Sequence, residues 1–193
     1  YMKTKITLAV CTIALMMIWP PVTGQNYFER TILFNDTLPG YQQTLKLLPT
    51  LDGNVMLFTA RMDPNTNRYE IFMSKSDDAG NELWTSRIAI QQTAMFYSIT
   101  EFIDSSFYIS GFISNISNFG NLLVNVSKNG ILLSSKVISS PDIYQGYGYD
   151  ITSLNDSSLV MVARTLPQNN YYELGNIIID AAGNPVSNNF FTV

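Results

Sequence analysis

One short pattern occurs three times in this chain at a constant interval, and that interval limits the possible folds more than any other feature. An aliphatic strand end, a tight polar turn and an apolar run appear first as Leu51-Asp52-Gly53-Asn54-Val55-Met56-Leu57-Phe58-Thr59-Ala60. They return as Ile103-Asp104-Ser105-Ser106-Phe107-Tyr108-Ile109-Ser110-Gly111 and as Asn155-Asp156-Ser157-Ser158-Leu159-Val160-Met161-Val162-Ala163. Asp52, Asp104 and Asp156 lie 52 residues apart. A second landmark, the turn glycines Gly80, Gly130 and Gly183, recurs at intervals of 50 and 53. Self-similarity at a fixed interval marks a chain in which one supersecondary unit is copied and buries its apolar faces on its neighbours.

Each unit reads as four strands. In the first, strands are expected over 42–50, 55–61, 69–75 and 83–90. Leu45, Leu47 and Leu51 share a parity, which predicts a packed face; Ile71 and Met73 predict another. The second unit gives strands over 97–103, 107–113, 120–127 and 131–138, and the third over 149–154, 159–165, 172–180 and 186–193. Asp52-Gly53, Asp104 and Asp156 read as turn formers, because Asp can bond backbone two residues on and Gly accepts positive φ. Asn129-Gly130 predicts a type I′ hairpin, the turn that needs positive φ twice. A further single strand is expected over 27–34, ahead of the turn-rich 35–40.

Composition narrows the chemistry. Only 13% of residues are charged and 12% are aromatic, a balance that suits half-buried strands and not a disordered chain. Net charge is −4, and no basic stripe exists to neutralise phosphates, so nucleic acid is not an expected partner. There is no histidine, which removes imidazole bases, Ser-His-Asp triads and histidine metal ligands together. The single cysteine, Cys11, lies in a segment expected to be removed. Asp63, Asn65 and Asn67 have the alternating oxygens of a calcium loop, but Arg68 and Ser74 stand where such loops want Gly and Glu. No metal or other cofactor is expected.

Residues 1–24 have the layout of a secretory signal peptide. Lys3 and Lys5 precede an apolar run from Ile6 to Trp19, then Pro20-Pro21 and the small-residue stretch Val22-Thr23-Gly24. The run is shorter than the about 20 residues a spanning helix needs, which favours cleavage near Gly24-Gln25 over a membrane anchor. Leu8-Ala9-Val10 before Cys11 leaves a lipoprotein reading open, although Val10 is bulky for it. The expected mature chain is 25–193, secreted or at the cell surface, with no membrane association after cleavage. Sequons at Asn35, Asn115, Asn125 and Asn155 would matter only in a eukaryotic secretory route.

The alternation of aliphatic strand, Asp-Gly or Asp-Ser-Ser turn and apolar strand, closed by Gly80-Asn81-Glu82-Leu83-Trp84, resembles secreted bacterial β-propeller repeat proteins. The resemblance implies an all-β fold: a partial β-propeller of three four-stranded antiparallel blades over about 41–90, 94–138 and 147–193, one extra N-terminal strand, and a signal-peptide helix in front. Units two and three lack the Trp, with Leu132 and Val186 nearby. A β-sandwich of twelve strands is the competing architecture. Three blades do not close a ring, which implies further blades in a longer chain or assembly with another chain.

Function then falls on the stretches leading into each unit's first strand, which are rich in aromatics: Tyr41; Phe96 and Tyr97; Tyr144, Tyr147 and Tyr149. Tyrosine offers a flat apolar face and a hydroxyl, suited to a glycan or protein ligand, and equally to packing between blades. A binding or scaffold module is the first expectation. The alternatives are an extracellular carbohydrate-active enzyme using the carboxylates Glu101 and Asp150 in the channel, and a spacer for downstream domains. No residue is assigned a catalytic role.

Overall fold

The computed structural model describes residues 42–63, 66, 68–90, 94–114, 119–138, 146–165 and 173–192. The expected signal peptide and the strand over 27–34 lie outside them, as do Tyr41 and Tyr144. The described residues are all-β and contain no helix. Twelve strands form three sheets: β1 (Gln42–Pro49), β2 (Val55–Asp63), β3 (Arg68–Ser76) and β4 (Glu82–Ala89); β5 (Ala94–Glu101), β6 (Phe107–Ser114), β7 (Phe119–Val126) and β8 (Leu132–Ile138); β9 (Gly146–Asn155), β10 (Ser158–Thr165), β11 (Glu173–Asp180) and β12 (Pro185–Thr192). Every sheet is an antiparallel meander in chain order, so the three repeats of sequence are three copies of one topology.

The register explains which residues are apolar. In sheet one, Phe58 pairs with Met73 and lies beside Met56 and Ala60 on one face; all are buried. That face meets Ile99, Phe107, Ile109, Leu122, Val124 and Val126 of sheet two. The other face of sheet two carries Tyr108 and Leu123, which join Phe102, Ile138, Ile151, Leu159, Met161, Ala163, Ile177 and Ile179 in a second core layer against sheet three. Each fully buried Phe, Ile or Met contributes roughly 1.5–3 kcal/mol by leaving water. β5 lies beside β1 on one side and β9 on the other, so the first strands of the three sheets are neighbours.

The first strands share a β-bulge. Leu45, Tyr97 and Tyr149 are skipped in their ladders: Thr44 pairs with Thr59 and Lys46 with Phe58; Phe96 with Gly111 and Ser98 with Ser110; Gly148 with Ala163 and Asp150 with Val162. An extra residue reverses the side-chain parity beyond it. This corrects the expected packed face for Leu47 and Leu51. Past the bulge, Lys46 and Leu48 turn toward sheet two, while Leu47 and Leu51 are exposed. Ile71 and Met73 are buried together. The bulges also hide the true starts of β5 and β9, which begin three residues earlier than the alternation predicts.

The hairpin turns repeat as well, with two departures. Asp52, Asp104 and Asp156 all sit in the turn between a sheet's first and second strands. Gly53 and Ser105 occupy the same left-handed position there, at φ 81° and 63°. Asp104 Oδ1 accepts the Ser106 N–H at 2.9 Å, whereas Asp52 accepts from Thr50 Oγ1 and from Lys75 Nζ at 2.7 Å. In sheet three Asn155, and not Asp156, holds the turn: its Oδ1 accepts from Ser157 N, Ser157 Oγ and Ser158 Oγ. Between third and fourth strands, Gly80, Gly130 and Gly183 have φ of 82°, 78° and 82°. Asn129 has no positive φ, so the expected type I′ turn is replaced. Ser127 Oγ accepts the N–H groups of Asn129 and Ile131, and Asp77 and Asp180 do the equivalent for Asn81 and Asn184. A side-chain acceptor at the turn's first residue holds a wider loop that needs only one positive φ.

Candidate functional site

Two groups of side chains meet where the first strands run together. The first is polar. Lys46, Ser98 and Asp150 are the residues after the three bulges, again 52 apart, and they form a chain across the sheets. Lys46 Nζ donates to Ser98 Oγ at 3.1 Å, Ser98 Oγ donates to Asp150 Oδ1, and Lys46 Nζ lies 3.6 Å from that same oxygen. Burial pushes the Asp150 carboxyl up, but the Ser98 hydroxyl, the Ile151 N–H and Lys46 together hold it below its ordinary value. An ionised Asp150 facing Lys46 through a buried serine joins all three sheets at one level. The arrangement locks relative position, because each donor and acceptor comes from a different sheet.

The second group is aromatic and is built around the bulged residues themselves. Tyr97 and Tyr149, the bulged residues of β5 and β9, pack at 5.4 Å between ring centroids with a 56° tilt. Tyr149 stacks over Tyr147 at 6.0 Å and 12°, and Tyr147 stacks on Phe112 at 4.2 Å and 22°. Tyr97 and Tyr147 are half-buried and Tyr149 is 39% exposed, so the row has a packed side and an open side. Burial, with Tyr149, Tyr147 and Tyr69 nearby, raises the Tyr97 phenol, which stays a neutral hydroxyl. β9 can lie this close to sheet two because its alternate residues are glycine: a Cβ on Gly146 would come within 2.5 Å of the Asn121 amide, and one on Gly148 within 3.2 Å of the Gly111 carbonyl.

Of the six aromatics singled out from the sequence, Tyr97, Tyr147 and Tyr149 are brought together. Phe96 points the other way into the core between sheets one and two and is buried. The stretches that hold these residues are strand, not loop. Phe112 was not a candidate from the sequence, although it falls 52 residues after Ala60 and shares its register position. Lys46 and Ser98 were also missed; the offset that relates Asp52 to Asp104 relates them too.

The two carboxylates considered for catalysis are both engaged in contacts between sheets, Glu101 buried and Asp150 exposed. Glu101 is buried, and its Oε2 accepts the Leu51 N–H of sheet one at 2.5 Å. Burial holds its carboxyl above the ordinary value. Asp150 is tied to Ser98 and Lys46. Asp63 accepts from Thr66 Oγ1 at 2.9 Å, while Asn65 and Asn67 lie outside the described residues. Among the described residues, no group of three or more acidic or thiol side chains gathers as a metal site would require. The sequence matches no protein-family model and no curated protein, so any functional reading rests on this geometry.

Proposed function

We propose that the chain is a binding or scaffold module of the β-propeller class, exported to the cell surface or beyond, with the aromatic row as its ligand surface. Three four-stranded meanders related by a 52-residue offset support the propeller reading, as does the neighbouring position of their first strands. In a propeller the first strands line the axis, and ligands gather at its mouth. The observation that carries the binding role is the stepped row Phe112–Tyr147–Tyr149–Tyr97, stacked on one side and open on the other. A flat apolar face flanked by phenol hydroxyls suits a sugar ring or an aromatic-rich protein segment.

Glycan and protein arrays probed with the intact chain test this reading. Binding that weakens about tenfold in Tyr149→Ala, with the unfolding midpoint little changed, is the expected result, since a lost ring contact is worth about 1.4 kcal/mol. An intact chain that retains no glycan or protein, or binding indifferent to Tyr149 and Tyr97, would remove the aromatic row from the role.

A further inference from the structure

The three sheets present equivalent faces, and among the described residues two of those faces are covered by the sheet that follows. The register sets the equivalence row by row. Lys46–Phe58–Met73–Ser86 in sheet one corresponds to Ser98–Ser110–Leu123–Lys136 in sheet two and to Asp150–Val162–Asn176–Asn189 in sheet three. Phe58 and Met73 are fully buried under sheet two, and Ser110 and Leu123 are buried under sheet three. The matching Val162 is 40% exposed, and on the same face Leu174 and its cross-strand partner Phe191 are 47% and 60% exposed.

The covered faces also share a clamp. Ser86 Oγ of sheet one donates to the Gly130 carbonyl, in the last turn of sheet two, at 2.5 Å. Lys136 Nζ of sheet two, at the same register position, donates to the Ala182 carbonyl in the last turn of sheet three. Sheets one and two thus each offer one donor from the fourth strand to the final turn of the sheet that follows. The corresponding residue in sheet three is Asn189, an exposed carboxamide with an N–H₂ donor.

We infer that the face of sheet three bearing Val162, Leu174, Asn189 and Phe191 is a docking surface for a fourth sheet of this same repeat. The occupant presents an apolar face to Val162, Leu174 and Phe191 and the backbone carbonyl of a glycine turn to Asn189. Continuity with the two interfaces already formed singles out this occupant: the surface is the third member of a series whose first two members are covered in one way. The inference rests on the repeat reading above but not on the ligand surface, so failure of the array experiment leaves it standing.

The test appends a second copy of residues 139–193 after Val193 and reads Val162→Cys by its rate of reaction with a thiol reagent, in a Cys11→Ser background. The single-length chain is expected to react fast at every protein concentration, and the extended chain at least tenfold more slowly. Adding Asn189→Asp to the extended chain, which removes the donor, should restore much of the fast rate. A parallel extended chain carrying Val162→Ser, Asn176→Leu and Asn189→Lys, with its reporter at Leu174→Cys, copies the face of sheet two and is expected to protect its reporter as well. The inference is overturned if the thiol introduced by Val162→Cys stays fast in the extended chain, whether the added segment is folded or is removed by protease. It is equally overturned if the single-length chain becomes protected with rising concentration, since a second copy would then be the occupant.

Discussion

Replacing Gly130 by alanine, with Gly53 as the reference, measures how tightly successive sheets dock. Both glycines sit in hairpin turns at nearly the same left-handed φ, 78° and 81°. Their surroundings differ. A Cβ on Gly53 meets nothing within 4 Å, while one on Gly130 would lie 2.7 Å from both the Trp84 ring and Ser86 Cβ of sheet one. The backbone cost of alanine at such a φ is about 1–2 kcal/mol and applies to both. Only Gly130→Ala adds overlap with a rigid ring and a strand Cβ, worth roughly a further 1–3 kcal/mol, which is what overpacking costs in a well-filled core. Gly53→Ala should therefore destabilise by about 1–2 kcal/mol and Gly130→Ala by about 2–5. Urea unfolding followed by tryptophan fluorescence reads the difference directly, because Trp84 is itself at the contact. If the two variants agree within about 0.5 kcal/mol, the turn of sheet two does not press on sheet one and the docking argument fails.

Three further outcomes follow from the same packing. Phe58→Ala empties a fully buried position between sheets one and two and should cost about 3–5 kcal/mol by chemical denaturation; a loss under about 1 would mean that the layer is not packed there. Ser110→Ala should leave stability unchanged or raise it by up to about 1 kcal/mol, because the buried Ser110 Oγ has no hydrogen-bond partner among the described residues; a marked loss would point to a bond the fold does not provide. Burial holds the Glu101 carboxyl above its ordinary 4.5. A carboxyl raised in the fold stabilises while protonated, and that contribution disappears as pH climbs through the raised value. Glu101→Gln should accordingly gain on the parent as pH rises from 4.5 toward neutrality, and urea midpoints whose gap is independent of pH would refute the assignment.

Much of the fold was legible in the sequence because turns and strands are local. The 52-residue offset placed Asp52, Asp104 and Asp156 at matching corners, and the apolar runs Val55 to Arg61 and Leu159 to Thr165 after those turns marked strands to within a residue or two. What was not legible belongs to pairs of strands. A bulge at Leu45, Tyr97 or Tyr149 exists only relative to the partner strand, yet it decides that Leu47 faces water and that Tyr149 stands beside Tyr97. Asn129-Gly130 reads as a two-residue hairpin until Ser127 is seen to hold a longer one. The clamp was hidden for a different reason. Ser86 and Lys136 share a task but no chemistry beyond a donor, so similarity of residue type could not reveal it. The candidate site was half visible: tyrosines could be counted, but their stacking on Phe112, and the departure of Phe96 into the core, follow from register alone.

Nuclear Overhauser contacts at two turn glycines test most directly whether these sheets are stacked copies of one module. The account requires Gly130 Hα to contact the Trp84 ring, with an upfield ring-current shift, and Gly183 Hα to contact the Leu123 methyls in the same way one sheet further on. Finding neither contact, or only one of the pair, would show that equal spacing in the chain does not carry over to equal placement in space.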